Sequence, residues 1–255
     1  MDYSILIRLI LAHLLSDFVL QSHKWAEEKD AKGFSSGYLY LHIMVTGITA
    51  LLLVLNINWL LPIGLITVIH GFMDGIKREV NKRLLKKSSP IYLFITDQIL
   101  HLLVIGIVWI FVTNQSGLFS SESILVLQNQ KFWLYVLGYT WVSIPIAVII
   151  GKITESWNNE LNAPLPSSSP VKADKLGLKN AGKWIGIIER ILILTFVLNL
   201  QFAAIGFMLA AKSVFRFGDL KDIKDHKKTE YIIIGTFLSF MLSILTGIIL
   251  NYLNK

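Results

Sequence analysis

Long hydrophobic runs alternate with short polar or basic connections along nearly the whole chain. Several runs approach or exceed the roughly 17 to 25 residues that an α-helix needs to cross a bilayer. The pattern therefore predicts an all-α fold, a polytopic transmembrane bundle of about eight helices. Their expected positions are residues 3–20, 38–55, 59–76, 91–113, 132–151, 184–198, 202–215 and 231–253. The sixth and seventh segments are short for full spans, so a short re-entrant hairpin is the alternative for this pair.

Composition supports a membrane protein over a soluble one. Hydrophobic residues make up 54% of the 255 residues and charged residues only 16%, whereas soluble domains carry roughly a quarter charged residues. The first hydrophobic run lacks a basic leader and a small-residue cleavage site, so we expect an uncleaved membrane helix. The chain has no cysteine, which excludes disulfides and thiolate metal sites.

Basic residues predict the orientation of the helices. Every second connection is basic, and four of them hold 20 of the 24 Lys and Arg residues: 21–37, 77–90, 152–183 and 212–230. The positive-inside rule places these connections in the cytoplasm. We therefore expect a multi-pass protein of the inner (cytoplasmic) membrane with both termini outside. Contact with anionic membrane lipids accounts for the net charge of +7, and no nucleic acid partner is implied.

The same pattern divides the chain into four parts. We expect a four-helix bundle that bears the His and Asp residues (1–113), an extracytoplasmic loop with a fifth helix (114–156), a Pro/Ser-rich cytoplasmic linker (157–183) and C-terminal membrane helices (184–255). In the last part, Glu189 is expected to pair with Lys212 or Arg216. Arg190 is expected to reach the lipid headgroups.

Ionisable residues recur inside the first four predicted spans. Three His/Asp pairs are spaced four residues apart, which puts both members on one helix face: His13/Asp17, His70/Asp74 and Asp97/His101. The order reverses in the fourth segment, whose chain direction is opposite to that of the first and third. Together with His42, all seven groups are therefore expected at one depth, in the cytoplasmic half of the bilayer.

This set of residue types predicts a metal site. Three carboxylates in a low dielectric repel one another, so protons or a cation must compensate their charge. Imidazole and carboxylate together suit a divalent metal, and we expect zinc or manganese, as one ion or as two ions bridged by an Asp. Asp17 and Asp97 are the candidate catalytic residues, and Gln21 and Lys77 are candidates for substrate contact. A structural hydrogen-bond network and a proton pathway are the alternatives.

These stretches resemble a bacterial and archaeal polytopic membrane family of unknown function. The likeness rests on "LAHLLSDFVLQ", "HGFMD" with a following Lys, and "DQILHLL", and it extends into "NAGKWIGIIERILILTFVL" and "GFMLAAKSVFRFGDLKD". A more remote similarity is to inner-membrane proteins described as metal-dependent hydrolases. That similarity implies a ligand role for six residues: His13, Asp17, His70, Asp74, Asp97 and His101.

Three functions remain open at this stage. The first is a metal-dependent hydrolase that acts on a lipid-like or membrane-associated substrate, with a metal-bound water as the nucleophile. The second is a proton- or metal-coupled transporter. The outer halves of the first four segments are almost wholly apolar, which disfavours a path across the membrane. The third is a sensor or scaffold whose basic loops dock a cytosolic protein partner.

Overall fold

The computed structural model describes residues 3–84, 90–114, 129–162, 181–216 and 223–254. Within these ranges every regular element is helical, as the hydrophobic pattern predicts. The α-helices are α1 (Tyr3–Leu14), α2 (His23–Lys32), α3 (Gly37–Val54), α4 (Leu60–Leu84), α5 (Pro90–Asn114), α6 (Gln130–Ser143), α7 (Pro145–Ile153), α8 (Glu155–Asn162), α9 (Ala181–Leu198), α10 (Phe202–Arg216) and α11 (Ile223–Leu253).

Six segments of the described chain are long and apolar enough to cross a membrane, which is the architecture of a multi-pass membrane protein. They are Tyr3–Leu20, Gly37–Val54, Ile57–Lys77, Ile91–Asn114, Gln130–Ile153 and Thr229–Leu253. The two other predicted segments correspond to α9 and α10. Helix α10 is a shorter apolar helix, and α9 carries Lys183, Glu189 and Arg190. The re-entrant hairpin stays a prediction for this pair.

The chain divides into two compact units, Met1–Thr140 and Trp141–Lys255. In the first unit, α1, α3, α4 and α5 pack around a buried apolar core. This core occupies one end of the four helices and contains Ile5, Leu9, Ala12, Ala50, Val54, Trp59, Ile63, Ile66, Ile105, Val108, Trp109 and Val112. The buried histidines lie toward the other end of the same helices. The predicted four-part division of the chain stays a prediction.

A tight turn joins α3 to α4 at the apolar end of the first unit. Leu55 ends α3 in the left-handed conformation, with φ of 46°, and the 3-10 turn Ile57–Trp59 leads into α4. The last carbonyls of α3 are bound by Arg8 of α1, whose Nη1 donates to Leu53 O at 3.2 Å and to Val54 O at 3.0 Å. A buried guanidinium thus satisfies backbone acceptors that the end of a helix would leave without partners.

The first hydrophobic segment changes its helix type before it ends. After α1, residues Leu15–Leu20 form a π-helix, which closes with Gln21 N donating to Ser16 O at 3.1 Å. Ser22 then caps α2 by accepting a hydrogen bond from Trp25 N at 3.3 Å. Helix α2 occupies most of the connection 21–37, which the hydrophobic pattern assigns to a polar loop. The helix packs against both α3 and α4.

In the second unit, a buried arginine binds backbone carbonyls beside a break between two helices. Pro145 has no N–H and starts α7 directly after α6 has ended at Ser143. Arg190 of α9 donates to Val142 O and, at 2.7 Å, to Ser143 O. The expectation that Arg190 reaches the headgroups is therefore wrong, because its guanidinium is buried against carbonyls beside the break. Glu189 pairs with Lys212 at 2.6 Å, and the side chain of Arg216 lies outside the described residues.

Candidate metal centre

Seven ionisable side chains from four helical segments meet at one end of the first unit. We call them the His/Asp cluster: His13 on α1, Asp17 on the π-helix, His42 on α3, His70 and Asp74 on α4, and Asp97 and His101 on α5. All four histidines and Asp74 are buried. The structure thus brings together all seven residues that the sequence proposes as metal ligands.

Two histidines and one aspartate form the centre of this cluster. His42 Nε2 and His70 Nε2 lie 3.0 Å apart, and Asp17 Oδ1 lies 3.4 Å from the first and 3.6 Å from the second. Donor atoms around a tetrahedral zinc ion with bond lengths of 2.0–2.1 Å would be about 3.3 Å apart. The three atoms therefore have the spacing of one triangular face of such a coordination sphere. We call these three residues the triad.

Asp74 lies beside the triad and presents both of its oxygens to histidines. Its Oδ2 is 3.4 Å from His42 Nε2 and 3.6 Å from His70 Nε2. Its Oδ1 is 3.9 Å from His101 Nε2. The same Oδ2 accepts a hydrogen bond from the buried ammonium group of Lys29 on α2. Asp74 therefore contacts the triad histidines, His101 and a lysine at once.

Asp97 and His101 form the side of the cluster on α5. His101 Nδ1 lies 2.8 Å from the backbone oxygen of Asp97, which leaves Nε2 facing the carboxylate of Asp74 at 3.9 Å. The carboxylate of Asp97 pairs with Lys77, with Nζ to Oδ2 at 3.3 Å, and accepts a hydrogen bond from Gln98 at 3.4 Å. Asp97 thus pairs with a lysine, whereas among the described residues Asp17 pairs with no lysine or arginine.

His13 completes the cluster next to Asp17. Its Nδ1 is 3.6 Å from Asp17 Oδ1, and its ring stacks on His101 with centroids 5.3 Å apart. Several buried imidazole nitrogens have no hydrogen bond of good geometry within the described protein: both nitrogens of His13, which interacts with the side chain of Gln98, Nδ1 of His42 and Nε2 of His101. Buried polar atoms without partners are costly, so these nitrogens are positions at which an ion or a water molecule could bind.

Local backbone features place the triad. The π-helix puts Asp17 in a wider turn than α-helical spacing gives, and π-helical segments are frequent at functional sites. Ser16 fixes the carboxylate by donating to Asp17 Oδ1 at 3.1 Å. Helices α3 and α4 approach closely at Gly71, where any Cβ would overlap the side chain of Ile43. This approach brings His42 and His70, the neighbours of Ile43 and Gly71, within reach of each other.

The two candidate substrate contacts occupy different places. Lys77 lies at the edge of the cluster and is held between Asp97 and Asp30, the latter at 3.8 Å. Gln21 follows the π-helix in extended conformation, with φ of −77° and ψ of 118°. Their role in substrate contact stays a prediction.

Sequence reasoning missed Lys29. In the sequence, Lys29 is one of several basic residues in a connection between spans. Because lysines are rarely buried without a partner, its burial was not expected. The helix that carries it does have sequence signals, because Ser22 is a good N-cap residue and Gly33 a good terminator. Trp25, Ala26 and Lys29 would share one face of such a helix, with spacings of three and four residues.

A small cavity adjoins the cluster on the side of the apolar core. It has a volume of about 20 Å³ and is lined by His13, His70, His101, Thr46 and Thr67, with apolar side chains on the remaining walls. That volume is enough for about one water molecule. The hydroxyl of Thr67 is also buried without a hydrogen-bond partner.

Comparisons with curated proteins and with solved structures give no match to the chain. One protein family does match part of it. The matched range contains the whole His/Asp cluster as well as Lys29 and Lys77. The description of the family names no activity, so it does not support the similarity to hydrolases. Residues 5–130 of this chain match the family described as "Protein of unknown function (DUF3307)".

Proposed function

We propose that the first unit binds a divalent transition metal and acts as a metal-dependent hydrolase on a lipid-like or membrane-associated substrate. The observation that carries the proposal is the triad, with three donor atoms pairwise 3.0, 3.4 and 3.6 Å apart. Asp74 Oδ2 lies at the same two distances from His42 and His70, but it is already bound by Lys29, so we assign it as a neighbour of the ion rather than a ligand. The two imidazoles and the Asp17 carboxylate then leave a coordination position free, as in catalytic zinc sites. Zinc, manganese and iron all suit this ligand set, and of these we propose zinc or manganese.

A metal held there would lower the pKa of a bound water and polarise a phosphoryl or acyl oxygen of the substrate. In this proposal His13 takes the proton. Its Nδ1 lies 3.6 Å from Asp17 Oδ1, and neither ring nitrogen has a hydrogen bond of good geometry within the described protein. Asp97, the other candidate catalytic residue, is bound by Lys77. In this proposal Asp17 is a ligand and Asp97 anchors Lys77 near the site.

The charges of the cluster favour an anionic substrate. Its three carboxylates face two ammonium groups, those of Lys29 and Lys77. With neutral histidines these five groups sum to one negative charge, and a divalent ion would turn it into one positive charge. The half-exposed Asp30, which is the second partner of Lys77, lies outside this sum. Such a site attracts phosphate esters, whose charged oxygens can also bind a divalent cation.

Metal content is the direct test. Protein purified in detergent without chelators is expected to contain about one zinc or manganese per chain, measured by mass spectrometry of the metals. Asp17→Asn and His42→Ala should lower metal affinity by more than about 100-fold, since each removes a ligand. His23→Ala is the matched control, because His23 has an exposed side chain (88%) outside the cluster.

Two results would contradict the metal site. One is wild-type protein that stays free of metal after incubation with zinc and with manganese. The other is equal metal retention in Asp17→Asn and wild type. The hydrolase itself is tested by incubating the metal-loaded protein with phosphate and carboxylate ester lipids. Turnover by wild type but not by His42→Ala supports it, and metal binding without any turnover on these substrates counts against it.

Transport is less well supported. The half of the bundle away from the cluster is filled by the apolar core, which includes Trp59 and Ile63 at 1% and 2% exposure. A transport path needs polar groups or water through both halves of a bundle. In that half the buried polar side chains of the described residues include Ser4 and Arg8, and Arg8 is held by the carbonyls at the end of α3.

A further inference from the structure

We infer that Lys29 occupies the place of a second cation, so that the centre binds one divalent ion rather than two. The inference rests on the proposed metal site. The residue types of the cluster alone are compatible with a single ion or with two ions bridged by an aspartate. The choice matters because two-metal sites clamp both the attacking and the leaving oxygen of a substrate.

The cluster contains donors for a second ion next to the triad. Asp74, Asp97 and His101 offer ligand atoms that all lie within 4.8 Å of one another. Asp74 has the geometry of a bridging carboxylate, with Oδ2 toward His42 and His70 and Oδ1 toward His101. His101 Nε2 is buried and has no hydrogen-bond partner among the described residues. By geometry alone, a two-ion site is therefore within reach.

Both carboxylates of this second group are already neutralised by lysines. The ammonium of Lys29 binds Asp74 Oδ2, and that of Lys77 lies 3.3 Å from Asp97 Oδ2. A second divalent ion there would meet two positive charges at close range. Of the three carboxylates, Asp17 alone has no lysine or arginine partner among the described residues, and Asp17 belongs to the triad. The charge distribution thus favours one ion at the triad.

Helix α2 is packed so that it holds Lys29 in place. The Lys29 and Asp74 side chains are only 4% and 2% exposed, and breaking a buried pair leaves a charge uncompensated. Trp25 stacks on Tyr38 at the start of α3, with centroids 5.9 Å apart. The turn after α2 is anchored by Phe34, which contacts Phe72 of α4. Lys29 is therefore a fixed cation, and in our proposal it is a positioning residue for Asp74.

The test counts ions in detergent-purified full-length protein saturated with Mn²⁺ and then freed of unbound metal. Wild type should hold one ion per chain and give the spectrum of isolated Mn²⁺ in electron paramagnetic resonance. Lys29→Met should hold two ions and give a spin-coupled spectrum. Lys29→Arg, which keeps the charge, should return the count to one. Lys32→Met is the matched control, since Lys32 lies on the same helix with a 57% exposed side chain.

A second variant keeps the test decisive if Lys29→Met folds poorly. Lys29→Gln keeps an N–H donor for Asp74 but carries no charge. It should also hold two ions, and one ion in a folded Lys29→Gln protein would overturn the proposal. Two ions in wild type, or one ion in a folded Lys29→Met protein, would overturn the role of Lys29. Wild type that binds no ion at all would overturn the proposed metal site instead.

Discussion

Two aspartates that look equivalent in the sequence differ in the structure through their partners. Asp17 and Asp97 each lie four residues from a histidine, and both qualify as catalytic candidates by type and spacing. In the structure Asp17 faces His13, His42 and His70, whereas Asp97 is paired with Lys77. The lysines determine which carboxylate is free to bind a metal. Helical spacing along the sequence does not predict which aspartates these lysines contact.

The two residues should therefore respond differently to the same change. Asp17→Asn is expected to weaken metal binding by more than about 100-fold, because it removes a charged ligand of the triad. Asp97→Asn should weaken it by about 10-fold or less, because Asp97 acts only through Lys77 and His101. Zinc titrations of both variants by calorimetry check the difference. Equal losses in the two variants would mean that the ion lies nearer to α5 than the triad does.

At the scale of helices, the hydrophobic pattern locates the spans well and their local irregularities poorly. The predicted segments 3–20 and 38–55 agree closely with α1 plus the π-helix and with α3. The π-helix itself, and the buried face of α2, were not predicted. Both depend on which side chains meet across helices, because a π-turn and a buried lysine are unfavourable without their partners.

The approach of α3 and α4 at Gly71 can be tested with a single methyl group. Gly71→Ala places a Cβ against the side chain of Ile43, and overpacking of this kind costs about 1–3 kcal/mol. It should lower the thermal stability of the protein in detergent and weaken metal binding, since His42 and His70 adjoin the contact.

Gly64→Ala is the matched control on the same helix. A Cβ at Gly64 meets no heavy atom within 4 Å, so this variant should gain up to about 1 kcal/mol from helix propensity and keep its metal affinity. Thermal unfolding curves and zinc titrations of the two variants give the comparison. A Gly71→Ala protein as stable and as tight in metal binding as wild type would show that the close approach is unimportant.

At the scale of the whole molecule, the sequence predicts the helical class and the convergence of seven side chains. The helical class follows from the lengths of the hydrophobic runs. The convergence follows from the spacing of the His/Asp pairs and from the alternating direction of successive spans. The two-unit division at Thr140 was not foreseen, since α6 crosses it without any change in hydropathy. The orientation in the membrane stays a prediction and needs a measurement of its own.

The absence of cysteine makes that measurement direct. Lys32→Cys and Asn58→Cys each introduce one thiol into a chain that has none, at exposed positions before and after α3. The positive-inside rule places the first in the cytoplasm and the second outside. A membrane-impermeant maleimide added to intact cells should label Asn58→Cys alone, and labelling of Lys32→Cys should require permeabilised cells. The reverse pattern would invert the predicted topology.

The order of the ligands along the chain bears on how the protein is made. The whole His/Asp cluster lies between residues 13 and 101, within the first unit. At a synthesis rate of roughly 5–20 residues per second, the 39 residues between His101 and the second unit (102–140) take roughly 2 to 8 s to synthesise. The ligand-bearing helices can therefore enter the bilayer and capture an ion during translation, before the second unit exists.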